Sequence, residues 1–211
     1  MKQQKTRMML MLLGLLLISI GVAIFSKAEL GYDPFMVFGS GVAKTFGLPL
    51  GLAHMFINLI LLLAYIVCGK MKYINVGTLL ALGITGPLIN VFTELIGIAL
   101  SGEIELIVRI GLLPVACLLM GLGLYLYTGV RLGAGPNDLV SVILRDMTQK
   151  PLGLVRVLVD GLWTIAGVFL GGSVGLGTLT SLFFVGISVQ LWSKLGLFAK
   201  YMPKKQDESR K

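Results

Sequence analysis

The sequence contains few residues of the kinds that build metal sites or disulfide frameworks. Only 13% of its 211 residues are charged, and it has one histidine and two cysteines. Cys68 and Cys117 each lie in an apolar run without a nearby cysteine or histidine, which argues against a disulfide framework and a zinc site. His54 also has no metal-ligating neighbour, because Asn58, one helical turn away, is a poor ligand. We therefore expect no bound metal and no cofactor.

Sequence motifs of catalytic sites are also missing. The chain has no G-x-S-x-G turn, no H-E-x-x-H helix, no P-loop and no run of carboxylates suited to a hydrolase. The glycines at 121–123 and 171–172 lack the strand and helix context of a dinucleotide-binding turn. These absences predict that the protein is not an enzyme.

Apolar residues are abundant instead. They make up 56% of the chain, and the mean hydropathy is +0.91. A soluble domain of this composition could not cover its own surface with polar groups. Because a helix needs about 20 apolar residues to cross the hydrocarbon core, we predict six transmembrane helices, at residues 8–25, 50–68, 74–99, 106–128, 152–170 and 176–197.

The net charge of +8 is concentrated beside these spans and in a basic tail at 199–211. In a soluble protein such a charge would suggest nucleic acid, but here it indicates topology. Most of the Lys and Arg residues fall on one side of the predicted membrane, which the positive-inside rule makes cytoplasmic. The opposite side receives only Lys27, Lys44 and Arg109. We predict a multi-pass protein of the bacterial inner membrane with both termini inside the cell.

The two halves of the chain repeat each other. A shift of 102 residues aligns Leu-Gly-Tyr-Asp-Pro at 30–34 with Leu-Gly-Ala-Gly-Pro at 132–136, and Pro-Leu-Gly-Leu at 49–52 with its copy at 151–154. Paired prolines and ordered tetrapeptides at one offset are hard to obtain by chance. Since each repeat holds three spans, an odd number, the second must enter the membrane from the opposite side. The prediction is an all-α fold of two inverted three-helix repeats, at about 8–100 and 106–198.

Each repeat also contains a short, moderately apolar segment after its first span, at residues 34–46 and 136–147. Both segments are too short to cross a membrane. Asp33 is a suitable N-cap for the first, and Gly135 takes that position in the second. Two interpretations stay open: a re-entrant helix that offers its N-terminal amides to a solute, and an amphipathic helix lying flat at the membrane surface.

Repeat matching also pairs the polar residues inside the spans. The pairs are His54 with Arg156, Asn58 with Asp160, Asn90 with Gln190, and Glu94 with Lys194. A charge at the bilayer centre costs at least about 2.5 kcal/mol, so such residues should face the bundle interior or a wet cavity. The alternatives are a structural ion pair for Arg156 and Asp160, and long side chains reaching the membrane surface for Glu94 and Lys194. The predicted solute-binding residues are Asp33, Pro34, Gly135, Pro136, Asn137, Asp138, His54, Asn58, Arg156, Asp160, Asn90 and Gln190.

The repeated L-G-x-x-P signature resembles that of the YczE/YitT-like bacterial membrane proteins. The residues that carry it are Leu30, Gly31 and Pro34 in the first copy, and Leu132, Gly133, Pro136 and Asp138 in the second. The chain is similar to the YczE branch, because it ends in a short Lys-rich tail where YitT-type members carry a soluble domain. The resemblance implies the fold and an inner-membrane location, and it leaves the activity open.

Two functions from different classes follow. The first is a permease for a small anionic or zwitterionic solute, bound between the starts of the two short segments. The second is a membrane scaffold or regulator that does not transport, uses the basic tail to contact a protein partner, and influences another pathway such as secondary-metabolite production. The sequence sets no oligomeric state.

Overall fold

The structure, a computed structural model, describes residues 2–102, 104–150, 152–198 and 200, with the backbone alone at 2 and 152–154. These residues form eight α-helices and no strand. The helices are α1 Lys2–Ala28, α2 Pro34–Phe46, α3 Leu50–Val67, α4 Val76–Ala99, α5 Leu106–Gly129, α6 Pro136–Thr148, α7 Leu152–Phe169 and α8 Leu176–Leu195. Apart from residue 200, the predicted tail lies outside the described residues.

Five of the described helices are long and apolar enough to cross a membrane: α1, α3, α4, α5 and α8. The helix α7 is as long as α3, with 18 residues, and carries Arg156 and Asp160. Large apolar side chains cover the outside of the bundle; Val157 is 67% exposed and Phe169 is 86% exposed. A soluble monomer rarely exposes so many apolar side chains together, so these faces fit a lipid environment.

The backbone conformation of the first half repeats in the second at the 102-residue interval found in the sequence. Helices α6 and α7 begin and end 102 positions after α2 and α3, respectively. Left-handed residues recur at the same interval, including two that are not glycine, Glu29 with φ 53° and Arg131 with φ 52°. Such φ values are uncommon outside glycine, so their recurrence indicates that the turn after the first helix has one conformation in both halves.

Helices α1 and α5 cross at the centre of the bundle with their backbones in contact. A Cβ atom on Gly14 would lie 2.7 Å from the carbonyl oxygen of Gly123, and one on Gly21 would lie 3.0 Å from that of Ala116. The order of contacts is reversed between the helices, so they run antiparallel. A shift of 102 residues converts either contact into the other. Because lipid is as apolar as these side chains, close packing of this kind holds membrane helices together.

The Leu-Gly signature of each half binds the other half. The carbonyl of Leu30 accepts a hydrogen bond from the Gly177 amide at 2.7 Å, and the carbonyl of Leu132 accepts one from the Gly77 amide at 3.0 Å. Gly31 has φ +101°, and a Cβ there would lie 2.5 Å from a backbone nitrogen of the other half. The glycine of the motif is therefore required both by its conformation and by close approach.

Two arginines join the ends of α1 and α5. Arg7 Nε donates to the carbonyl of Val130 at 3.1 Å, and Arg109 Nε donates to the carbonyl of Ala28 at 2.6 Å. Each side chain thus satisfies a carbonyl that the end of a helix leaves without an intrahelical partner. Arg109 also pairs with Glu29 at 2.9 Å. The sequence suggested only a topological role for Arg7 and Arg109.

Candidate functional site

A cavity of about 110 Å³ lies where the first turns of α2 and α6 meet. Its wall is mostly apolar, with a few polar side chains converging on it, which is the usual composition of a ligand site. Eight of the twelve predicted solute-binding residues line it: Asp33, His54, Asn58, Gly135, Pro136, Asn137, Asp138 and Arg156. The structure thus brings together residues from both halves of the chain.

The start of α2 is capped by its own sequence. Asp33 has the extended conformation of an N-cap, and its Oδ1 accepts a hydrogen bond from the Met36 amide at 3.4 Å. Pro34 occupies the first turn, where its lack of an N–H costs nothing. It is buried beside Asp33 without lining the cavity.

The start of α6 is capped from the other half of the chain. Gly135 has no side chain, and Asn58 of α3 fills the gap: its Oδ1 accepts a hydrogen bond from the Asn137 amide at 3.0 Å. The Nδ2 of Asn58 donates to the carbonyl of His54 at 2.9 Å, which fixes the orientation of the amide. Asn58 is only 2% exposed, and both ends of its side chain have partners, as a buried polar group requires.

Arg156 lies between two carboxylates. Its guanidinium is 3.7 Å from Asp138 of α6 and 3.9 Å from Asp160, one turn along α7. Both distances exceed those of direct hydrogen bonds, so the guanidinium is held by attraction without a close contact. The side chains of Arg156, Asp138 and Asp160 are 49%, 20% and 26% exposed. The charged end of the cavity is therefore only partly covered by the rest of the chain.

Aromatic residues complete the wall. The ring of Phe35 meets the His54 ring edge-on at 5.4 Å and the Trp163 ring at the same distance. The hydroxyl of Tyr127 has no hydrogen-bond partner, although the residue is only 2% exposed and lines the cavity. Sequence reasoning missed Phe35 and Tyr127, because an aromatic residue inside an apolar segment gives no signal of a site.

Other predicted site residues lie elsewhere. Asn90 packs between α4 and α3, where its Oδ1 accepts a hydrogen bond from the Gly51 amide at 2.8 Å. It thereby supplies a cap for α3, whose own N-cap residue is Pro49 and makes no side-chain bond. Gln190 is exposed on α8, and Asp160 does not line the cavity but lies 3.9 Å from Arg156, which does.

A bundle of apolar helices around a small charged cavity defines a multi-pass membrane protein. Within that class, the chain belongs to a family of unknown function, DUF6198, whose family model matches residues 5–194. The resemblance to YczE-like proteins seen in the sequence is confirmed by this match and by the relatives below.

Three relatives cover most of the chain. The uncharacterized protein YyaS of Bacillus subtilis (strain 168) is 26% identical over 85% of this chain and 89% of its own length. An uncharacterized protein of Haemophilus influenzae is 27% identical over 87% and 81%, respectively. The uncharacterized membrane protein YczE of Bacillus subtilis is 26% identical over 82% and 79%. No solved structure matches the chain.

Proposed function

We propose that this chain transports a small charged solute through the membrane and binds it in the central cavity. The observation that carries the proposal is the meeting of two helix starts with Asp33, Asp138 and Arg156 inside an otherwise apolar bundle. Charged side chains are costly in a membrane and commonly mark solute or ion pathways there. An anionic or zwitterionic solute is the expectation from the sequence.

The architecture that we propose is two inverted repeats of three spans, with α7 as the sixth span. The antiparallel crossing of α1 and α5 supports it, because a shift of 102 residues exchanges the two contacts of that crossing. The reciprocal bonds of Arg7 and Arg109 also support it, since these residues and their acceptors, Val130 and Ala28, are each 102 positions apart. Many secondary transporters are built in this way and bind their solutes where the repeats meet.

We further propose that the end of the bundle that holds Arg7 faces the cytoplasm of a bacterial cell. Contacts of Arg7 with Val130 and of Tyr73 with Asp146 place several basic residues near this end: Lys70, Lys72, Arg131 and Arg145. The opposite end, where Arg109 meets Ala28, holds fewer basic residues, namely Lys27, Lys44 and Arg109 itself. The positive-inside rule then puts both termini in the cytoplasm.

The direct test is solute flux in liposomes that contain the purified protein. We expect uptake or efflux of at least one member of a broad panel of charged metabolites, and its loss in Arg156→Ala. Arg145→Ala is the matched control, because Arg145 binds Asp146 at 2.7 Å, outside the cavity lining. The absence of flux for every member of the panel would refute the proposal.

The scaffold hypothesis is tested in cells with the same variants. If removal of residues 200–211 abolished the phenotype of the protein while Arg156→Ala and Asp160→Ala retained it, a tail-mediated contact with a partner would replace transport as the function.

A further inference from the structure

The charged side chains around the cavity carry a net negative charge when the carboxylates are ionised. Asp33, Asp138 and Arg156 line the cavity, and Asp160, outside the lining, is 3.9 Å from Arg156. With ionised carboxylates and a neutral His54, the group carries a formal charge of −2. The two helix starts offset about one of these charges, since each corresponds to roughly half a positive charge. An anion would therefore add to a site that is already negative.

The helix starts are also partly occupied. A free helix N-terminus attracts anions through its unpaired amides. Here the Met36 amide of α2 already donates to Asp33, and the Asn137 amide of α6 already donates to Asn58. The sequence favoured an anion because of the two helix N-termini, but side chains of the protein already occupy one amide at each of them.

Resting on the proposed function, we infer that the solute carries a protonated or quaternary amine, which binds among Asp33, Asp138 and the rings of Phe35 and Tyr127. Carboxylates and aromatic faces together are the usual surroundings of an organic ammonium group. The Tyr127 hydroxyl, buried and without a partner, lines this space and can accept a hydrogen bond from an N–H donor. Among the described residues, no three His, Cys, Asp or Glu side chains are grouped to hold a metal ion.

The size of the cavity limits the solute. A water molecule needs roughly 10–15 Å³, so the space of about 110 Å³ admits an ammonium group with a few carbon atoms. A simple cation and a small zwitterion share this group. In a zwitterion, the carboxylate would lie toward Arg156, whose guanidinium is 49% exposed.

The experiment measures binding by the purified chain in nanodiscs, at constant ionic strength, with three small probes. The probes are tetramethylammonium, its zwitterionic carboxylated relative trimethylglycine, and acetate. We expect the first, the second or both to bind, and acetate to bind at least tenfold more weakly. Asp138→Asn should weaken binding of the amines at least tenfold, whereas Asp146→Asn, on the same helix but outside the cavity lining, should leave it unchanged.

A second variant tests the contribution of the Tyr127 hydroxyl alone. Tyr127→Phe should weaken binding of a primary amine such as methylammonium by about tenfold or more, the effect of losing one hydrogen bond from a charged donor, with little effect on tetramethylammonium, which has no N–H. Tyr125→Phe, on the same helix but outside the cavity lining, is the control. Circular dichroism of each variant verifies that it is folded.

Preferential binding of acetate, or no binding of any probe, would overturn the inference. Binding of amines that survives Asp138→Asn would overturn it as well. These results are distinct from failure of the proposed function: amine binding without flux in liposomes would refute transport and keep the amine site, whereas flux of an anion alone would refute the amine site and keep transport.

Discussion

Replacing Arg109 with methionine tests whether the two arginines hold the ends of the central helices together. The change keeps most of the apolar stem of the side chain and removes the donors to Ala28 and Glu29. A hydrogen bond from a charged donor contributes about 1.5–3 kcal/mol, and the residue whose carbonyl accepts it, Ala28, is fully buried. We expect Arg109→Met to lower the free energy of unfolding by about 2 kcal/mol.

Glu29→Gln is the control for the ion pair. The side chain of Glu29 is 73% exposed, and exposed ion pairs contribute about 0–1 kcal/mol. The control removes this pair and leaves the bond to Ala28 in place, so it should cost clearly less than Arg109→Met. Reversible unfolding in mixed micelles, followed by far-UV circular dichroism, measures both changes. Equal costs would show that the bond to the helix end contributes nothing, and the reasoning would be refuted.

The same assay tests the equivalence of the two ends. Arg7→Met removes the bond to Val130, which is also fully buried, and should cost about as much as Arg109→Met. The contact of Arg7 lies at the start of α1 and that of Arg109 at its end, about 30 Å away at 1.5 Å per residue. Changes at such separation usually add within about 0.5 kcal/mol, so the double variant should lose about 4 kcal/mol. A double variant no less stable than either single variant would contradict two independent contacts.

Two further predictions use the same unfolding assay. Gly123→Ile should destabilise the protein strongly, because a Cβ at this position would lie 2.6 Å from the carbonyl oxygen of Gly14. Gly111→Ile, on the same helix but facing open space, should be tolerated. Equal effects of the two changes would contradict the close crossing of α1 and α5. The hydrogen bond donated by Tyr73 lowers the pKa of Asp146 in the folded protein. This bond therefore contributes fully to the free energy of unfolding above the unfolded pKa of about 3.9, and the contribution is lost as the pH falls through the lower folded pKa. Tyr73→Phe should therefore be less stable than the wild type at pH 7, and a difference that persisted at pH 2 would contradict this account.

The short helices were predictable because their ends carry strong local signals. The sequence predicted residues 34–46 for the first, and α2 is Pro34–Phe46. Proline sets the first turn, Asp33 caps it, and Gly47 ends it in the left-handed conformation, with φ 63°. These interactions lie within a few residues of each other along the chain. Tertiary packing therefore had little opportunity to alter the boundaries.

Residues that act across the bundle were harder to predict. Arg7 and Arg109 match at the repeat offset, yet basic residues at span ends also set topology, so their pairing with distant carbonyls has no separate signature in the sequence. Asn90 was expected at the site because it is polar inside a span. It serves a packing contact, since the α3 amide of Gly51 needs an acceptor and α4 supplies one. Polarity alone does not distinguish a cap from a ligand.

The two halves differ at the helix starts around the cavity, where Asp33 of the first copy corresponds to Gly135 of the second. An aspartate at 135 would restore the signature of the first copy, but a Cβ there would lie only 3.0 Å from the Tyr127 hydroxyl. The hydroxyl would have to move by a few tenths of an ångström, and with glycine at 135 the cap of α6 comes from elsewhere in the chain. Asn58 supplies that cap, whereas its counterpart in the other repeat, Asp160, lies beside Arg156 instead. The glycine at 135 thus leaves space beside the Tyr127 hydroxyl. The equivalent residues Asn58 and Asp160 differ accordingly: the neutral one caps a helix, and the charged one lies beside Arg156.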